Sequence, residues 1–388
     1  MGDHAPLAPS AAHRWMNCPG SVAASVGLPT SDTEYSREGT FAHDIASQAL
    51  KTGKDAIAYR GVSNGEFTVD TEMAADIQVY LDAVRAQQLL TDGKLRVEQK
   101  VTYSDDVWGT SDASIVSRDL RELDVLDLKF GRGLLVEAVD NEQLLIYALA
   151  LLTTLADGRL DSTLKVIRLH IVQPRRPDSN GEFHREWEIS VEDLNDFALK
   201  LEEAVHATKA KKPELVAGDH CQWCPAASTC PALQAEALRV AREVFPKGDP
   251  EKPVKPPHPS TFSAAQLGKL LDSCNVVEAW IAALRQHAEE RAQSGVAIPG
   301  FKLIETIGNR RWDNEDTAIA ALETAGVDPY DQKVISPKEA ERRLGKARIK
   351  LLPKTARPVT GVKLVHESDK RPALNNAQVF IDNPLPDA

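Results

Sequence analysis

The sequence predicts an α/β protein with a mixed central sheet flanked by helices. Two helical stretches precede three short strands, an apolar helix separates these from two more strands, and a long amphipathic helix follows. Composition agrees with a globular chain, since 42% of the 388 residues are hydrophobic and 27% are charged.

Residues 10–30, around "CPGS", read as a short helix and loop. In residues 38–52, "EGTFAHDIASQALKT", Ala, Ile and Leu recur at helical spacing, which predicts a buried helix with His43 in its first turn. "TEMAADIQVYLDAVRAQQLL" is a second, amphipathic helix. "LRVEQKVTY", "GTSDASIVS" and "ELDVLDLKF" alternate or are rich in β-branched residues, with turn signals between them, so they read as strands. "NEQLLIYALALLTTLA" is a mostly buried helix, "TLKVIRLHIVQP" and "EFHREWEIS" are strands, and "VEDLNDFALKLEEAVHATKA" is a long helix. A Cys-rich stretch, "HCQWCPAASTCPAL", leads into another helix.

This order divides the chain into a main domain (1–245), a Pro- and Lys-rich linker (246–260, "PKGDPEKPVKPPHPS") and a smaller C-terminal region (261–388) with a helix near 263–294. Residues 336–371 carry eleven Lys or Arg against four Asp or Glu, a local excess of seven positive charges. Such a stretch is a solvated basic face or a contact for nucleic acid or a partner.

The net charge of −11 argues against generic electrostatic binding of nucleic acid but leaves room for a local basic groove. No apolar run approaches the roughly 20 residues that span a bilayer. The N-terminus lacks a basic segment followed by an apolar one, and "MGDHAP" lacks the Ser or Thr of a myristoylation signal. The expectation is a cytoplasmic protein with no membrane partner. In that compartment the five cysteines should not form structural disulfides. Cys221, Cys224 and Cys230 nevertheless fall within ten residues, a spacing that chance rarely produces.

Chemistry concentrates in "WGTSDASIV" and "LDVLDLKFGRG". Asp127 and Lys129 are i and i+2 on a strand, so they present a carboxylate and an ammonium on one face. If the second and third strands form a hairpin, Asp112 reaches the same face. Charges in so apolar a strand are costly unless paired or bound to a metal, although a surface salt-bridge patch would also use these residue types. Two carboxylates and a histidine suit Mg²⁺ or Mn²⁺. In the next helix, Gln143 and Tyr147 are i and i+4 on one face of an otherwise apolar helix.

These residues together resemble the PD-(D/E)XK nucleases in their RecB-like branch. That branch has G-x-x-x-H (Gly39 to His43 here), G-x-x-D (Gly109 to Asp112), D-x-K (Asp127 to Lys129) and Q-x-x-x-Y (Gln143 to Tyr147), and all four occur in order. Iron–sulfur members of the branch, similar to the AddB nuclease domain and the CRISPR-associated adaptation nucleases, place one cysteine before the motifs and three after. Cys18 and the C-x₂-C-x₅-C of Cys221, Cys224 and Cys230 fit that pattern. The likeness covers roughly residues 8–240. The whole chain, with segments such as "SAAHRWMNCPGS" and "HESDKRPAL", also resembles an uncharacterised family encoded by phages and prophages.

The resemblance implies a PD-(D/E)XK core and Mg²⁺- or Mn²⁺-dependent hydrolysis of DNA phosphodiesters, by an exonuclease acting on free ends in phage recombination, replication or repair. His43, Asp112, Asp127 and the Leu128 carbonyl would be metal ligands. Lys129 would position the attacking water, and Gln143 and Tyr147 would orient the site or the strand. Arg132, in "KFGRG", is placed to meet a phosphate or to solvate the turn. Glu98, in "RVEQKV", is placed either to face the site or on the strand surface, and the surface is the expectation. Cys18, Cys221, Cys224 and Cys230 would hold a [4Fe–4S] cluster, with zinc the alternative, closing a loop of 202 intervening residues. Cys274 lies outside the pattern and is expected as a small buried residue. A further reading keeps the nuclease as a subunit whose helicase, annealing or single-strand-binding partner sets its activity. The rival reading is a non-catalytic DNA-binding or assembly module of a phage complex, stabilised by the cysteine-bound metal.

Overall fold

The computed structural model describes residues 5–28, 33–155, 163–178, 181–244, 259–301 and 324. The basic stretch 336–371, and all but the last two residues of the predicted linker, lie outside the described residues. Helices α1 (Ala12–Asn17), α2 (Gly20–Ala24), α3 (Glu34–Thr52) and α4 (Thr71–Thr91) lead into strands β1 (Lys94–Thr102), β2 (Trp108–Val116) and β3 (Glu122–Leu128). Helix α5 (Glu142–Leu155) precedes β4 (Val166–Val172) and β5 (His184–Ile189), and α6 (Val191–Thr208), α7 (Pro231–Val244) and α8 (Ala264–Gln293) follow.

The strands form one mixed five-stranded sheet in the order β1-β2-β3-β4-β5. Only β3 and β4 run parallel, and the other neighbours pair antiparallel. A parallel pair needs a crossover, and α5 supplies it. One face of the sheet, with Leu123, Val125, Ile167, Leu169 and Ile171, is covered by α5, α6 and α1. The other face, with Ala113, Ile115, Leu126, Leu128 and Val172, is covered by α3 and α4. Burial on both faces explains why β3 reads as a nearly continuous apolar run.

Helix α3 begins a turn earlier than its apolar pattern. Thr33 caps it, its Oγ1 accepting the Ser36 N–H at 3.2 Å. The first turn, Glu34–Arg37, has no buried residue, so hydrophobic spacing could not reveal it. His43 therefore sits in the third turn of α3 and not in its first.

Helix α8 lays Val276, Ala279 and Ala283 against Cys221, Ala227 and Leu233 of the Cys-rich segment. Cys274 is exposed, contrary to expectation. It stands two residues before Val276, roughly 200° round the helix, and so faces away from that contact. Among the described residues, no helix is long and apolar enough to cross a membrane.

An arginine just past β4 ties the two helices of the second face together. Arg175 donates through Nη1 to Glu38 Oε2 of α3 and through Nε to Asp76 Oδ2 of α4, both at 2.8 Å. Its guanidinium lies 3.9 Å over the Phe130 ring. The Arg175 side chain is 8% exposed, so removing it strands two partly buried carboxylates. Arg175→Met should therefore lower the unfolding free energy by about 3–5 kcal/mol, measured by urea denaturation at neutral pH.

Candidate active site

The β2–β3 ladder pairs Ala113 with Leu126 through Val116 with Leu123. Beyond Ala113 it ends, and Asp112 fills the gap: its Oδ2 accepts the Leu128 N–H at 2.8 Å. The following amide, Lys129 N–H, donates to the Val172 carbonyl of β4 at 2.8 Å. In a trans peptide the C=O points opposite to that N–H, so the Leu128 carbonyl is turned toward β2 and Asp112.

His43 comes from α3, its Nδ1 3.3 Å from Asp112 Oδ2. Glu98 of β1 completes this group: one donor atom each from His43, Glu98 and Asp112 lies within 4.8 Å of the others. Glu98 was expected on the strand surface, but the antiparallel register brings it in. Val97 pairs with Ala113 and Gln99 with Ser111, so Glu98 falls opposite Asp112, with a left-handed backbone at φ 52°.

Asp127 forms the other half of the site. Lys129 Nζ is 3.0 Å from Asp127 Oδ2 and donates to Gln143 Oε1 at 2.8 Å. Gln143 Nε2 donates in turn to Asp127 Oδ1 at 2.9 Å and lies 3.4 Å from the Tyr147 hydroxyl. Asp127 Oδ2 is buried, with the Lys129 ammonium as its charged neighbour. An oxygen so placed can accept a cation as a ligand. Gly109 gives Tyr147 its room: a Cβ there would stand 3.1 Å from the Tyr147 ring and 3.2 Å from Pro9.

The charges are strongly coupled. Burial disfavours the His43 imidazolium, but Asp112 and Asp127 outweigh it and raise its pKa to about 9. Burial and Asp112 push the Asp127 carboxyl upward, against the pull of Lys129. Burial and Asp112 likewise raise Glu98, and burial and Asp127 raise the Tyr147 phenol. Three carboxylates thus face one lysine and one imidazolium, and a divalent cation can take the place of the His43 proton. Arg132 does not join this group but pairs with Glu72 of α4 on the surface, Nη2 to Oε1 at 2.6 Å.

The four predicted cysteines are gathered in a second place. The Gly20 N–H donates to the Glu214 carbonyl at 2.7 Å, and a Cβ on Gly20 would collide with that same oxygen. The glycine of "CPGS" therefore permits the approach that carries Cys18 to the distant segment. Cys18 Sγ accepts the Val216 N–H at 3.3 Å and Cys221 Sγ the Gly218 N–H at 3.5 Å. Cys224 and Cys230 pack on the same small core as Cys221. Burial raises the Cys221 thiol to about 11, and Cys224, Cys230 and Cys18 add to the rise. A bound metal would have to displace the Cys221 proton, since it is the thiolate that binds.

Over residues 4–372 the chain matches the model of a family described as proteins of unknown function, DUF2800, and it belongs to that family. The match runs through the sheet domain, the cysteine segment and most of the C-terminal region.

The raised His43 pKa has a consequence for the metal-free protein. A group whose folded pKa lies above its unfolded value contributes stability that is complete below the unfolded value, here about 6.5, and is lost as pH rises through about 9. Unfolding free energy measured in EDTA should therefore fall between pH 6.5 and 9 more steeply in the wild type than in His43→Ala.

Proposed function

We propose that this member of the DUF2800 family is a metal-dependent deoxyribonuclease with a PD-(D/E)XK core, acting on DNA with a free end. The observation that carries the reading is the convergence of His43, Asp112, Asp127, Lys129, Gln143 and Tyr147, from four separate elements, on the end of β3. The order and spacing of those residues match the RecB-like pattern, and Glu98 adds a ligand.

Asp112, Asp127, Glu98 and His43, with the Leu128 carbonyl, would hold Mg²⁺ or Mn²⁺. When bound, the cation stabilises charge on the scissile phosphate and makes a nearby water more acidic. The chain's own residues do the rest. Lys129, fixed by Asp127 and Gln143, holds the attacking water or a phosphate oxygen with its ammonium hydrogens. Water oxygen bonds to phosphorus and gives up a proton to solvent, the bond from phosphorus to the sugar oxygen breaks, and that oxygen takes up a proton from solvent. Gln143 holds Asp127 and Lys129 in register, and Tyr147 stays a neutral hydroxyl donor. Arg132 stands near the end of the same strand, where exchange of Glu72 for a phosphate would bring it to the DNA backbone. The exonuclease assignment within this reading rests on analogy with relatives that thread a single-stranded end.

Cys18, Cys221, Cys224 and Cys230 would hold a [4Fe–4S] cluster that ties the N-terminal segment to the segment after α6. Zinc on the same four thiolates is the alternative.

The test is a nuclease assay on anaerobically purified full-length protein with end-labelled linear and circular DNA. With Mg²⁺ or Mn²⁺ the wild type should degrade linear DNA, and Asp127→Ala and Lys129→Ala should each lower the rate at least about 100-fold. Iron in the same preparation should accompany the active protein. Intact DNA in every condition, with iron present and the fold native, would point instead to a binding or assembly module.

A further inference from the structure

The sheet carries a second cluster of ligating side chains, on the face opposite Asp127. Asp124 lies three residues before Asp127 on β3, so its side chain projects on the other side, toward α4. There Asp124 Oδ1 accepts the Gln87 Nε2–H at 2.7 Å and lies 3.2 Å from His170 Nε2 of β4. A carboxylate accepts only, so His170 Nε2 carries the hydrogen and Nδ1 offers its lone pair. That lone pair faces β5. His184 Nε2 is 3.0 Å away and Glu186 Oε2 3.5 Å away. His170 and Glu186 are direct cross-strand partners, and His184 is two residues along the same strand face. One donor atom from each of the three lies within 4.8 Å of the others.

We infer that His170, His184 and Glu186 form a binding site for a divalent transition-metal cation such as Zn²⁺, with Asp124 as the carboxylate that orients the buried histidine. The donor separations suit a shared ion: two bonds of about 2.1 Å at 90–110° put their donor atoms about 3.0–3.4 Å apart. Two imidazoles and one carboxylate select this class of metal over Mg²⁺ or Ca²⁺. A histidine whose other ring nitrogen donates to a carboxylate is the usual support of such a site. The negative charge of Asp124 is offset by Arg168, whose Nη1 lies 3.7 Å from Asp124 Oδ1 and 2.6 Å from Glu122 Oε2. His170 is fully buried, whereas Glu186 is 48% exposed, so a cation enters from the β5 side. Binding requires the His184 proton to move from Nε2 to Nδ1, turning a histidine–histidine hydrogen bond into two ligand bonds. The ion would clip β5, the edge strand of the sheet, to β4.

The experiment uses the full-length protein, dialysed to equilibrium against one buffered Zn²⁺ concentration. Wild type, His184→Ala, Glu186→Gln and Asp112→Asn are compared for bound zinc and for the midpoint of thermal unfolding with and without Zn²⁺. Zinc on the cysteines is common to all four and cancels. With free Zn²⁺ set near the wild-type dissociation constant, wild type should hold several-fold more zinc at this site than His184→Ala or Glu186→Gln, whose affinity should be at least about 10-fold weaker. The unfolding midpoint should rise more with zinc in wild type than in those two. Glu186→Gln should lose the same zinc in the Asp112→Asn background, which separates this site from the proposed nuclease centre. Wild-type zinc content in Glu186→Gln with a native circular dichroism spectrum would overturn the site. This holds even if His184→Ala does not fold, because Glu186 is a half-exposed edge residue.

Discussion

The hydrogen bond from the Leu128 N–H to the Asp112 carboxylate is the contact on which the site's geometry depends. Where the β2–β3 ladder stops at Ala113, a buried backbone N–H would otherwise lack a partner, which is costly. The carboxylate takes the place of a strand carbonyl and is thereby fixed at the fork between two strands. Every other group is positioned from there. His43 reaches it from α3, Glu98 from β1, and Asp127 with Lys129 projects beside it from β3. The Arg175 clamp on Glu38 and Asp76 ties α3 to α4 on the sheet face opposite α5, and with them the position of His43.

Much of this was legible because it follows from local periodicity. Asp127 and Lys129 share a face by the two-residue repeat of a strand, and Gln143 and Tyr147 by the turn of a helix. Both pairs meet in the folded chain as that spacing predicts. Glu98 was legible only as the alternative to a surface position, because its placement depends on hairpin register and on an unusual backbone conformation. Counting back from Asp112 across the β1–β2 turn would have found it. The start of α3 was hidden by a first turn with no buried residue, held by the Thr33 cap. Cys274 was misread because a lone cysteine carries no directional signal. Arg175 and the Asp124–His170–His184 cluster were missed for another reason. Their partners are joined across strands and helices far apart in sequence, and only the buried polar residues inside "LDVLDL" and "VIRLHIV" marked them.

The mixed sheet thus separates two clusters of potentially ligating side chains by the alternation of a single strand. Odd positions of β3 face α5 and carry Asp127, while even positions face α4 and carry Asp124. Hard oxygen ligands dominate the first group, and imidazoles the second, so the two are expected to sort cations by type. The cysteine segment stands apart from both and joins the first helices to α7 and α8.

Binding of Mn²⁺ to the full-length protein, followed by the loss of the free-ion electron paramagnetic resonance signal, tests the central claim most directly. Asp112→Asn keeps an acceptor for the Leu128 N–H and removes only the charge. If Asp112 is a ligand of the proposed nuclease centre, this variant should weaken Mn²⁺ binding at least about 10-fold while leaving the fold and the unfolding midpoint near those of the wild type. Unchanged Mn²⁺ affinity in a natively folded Asp112→Asn protein would contradict the account.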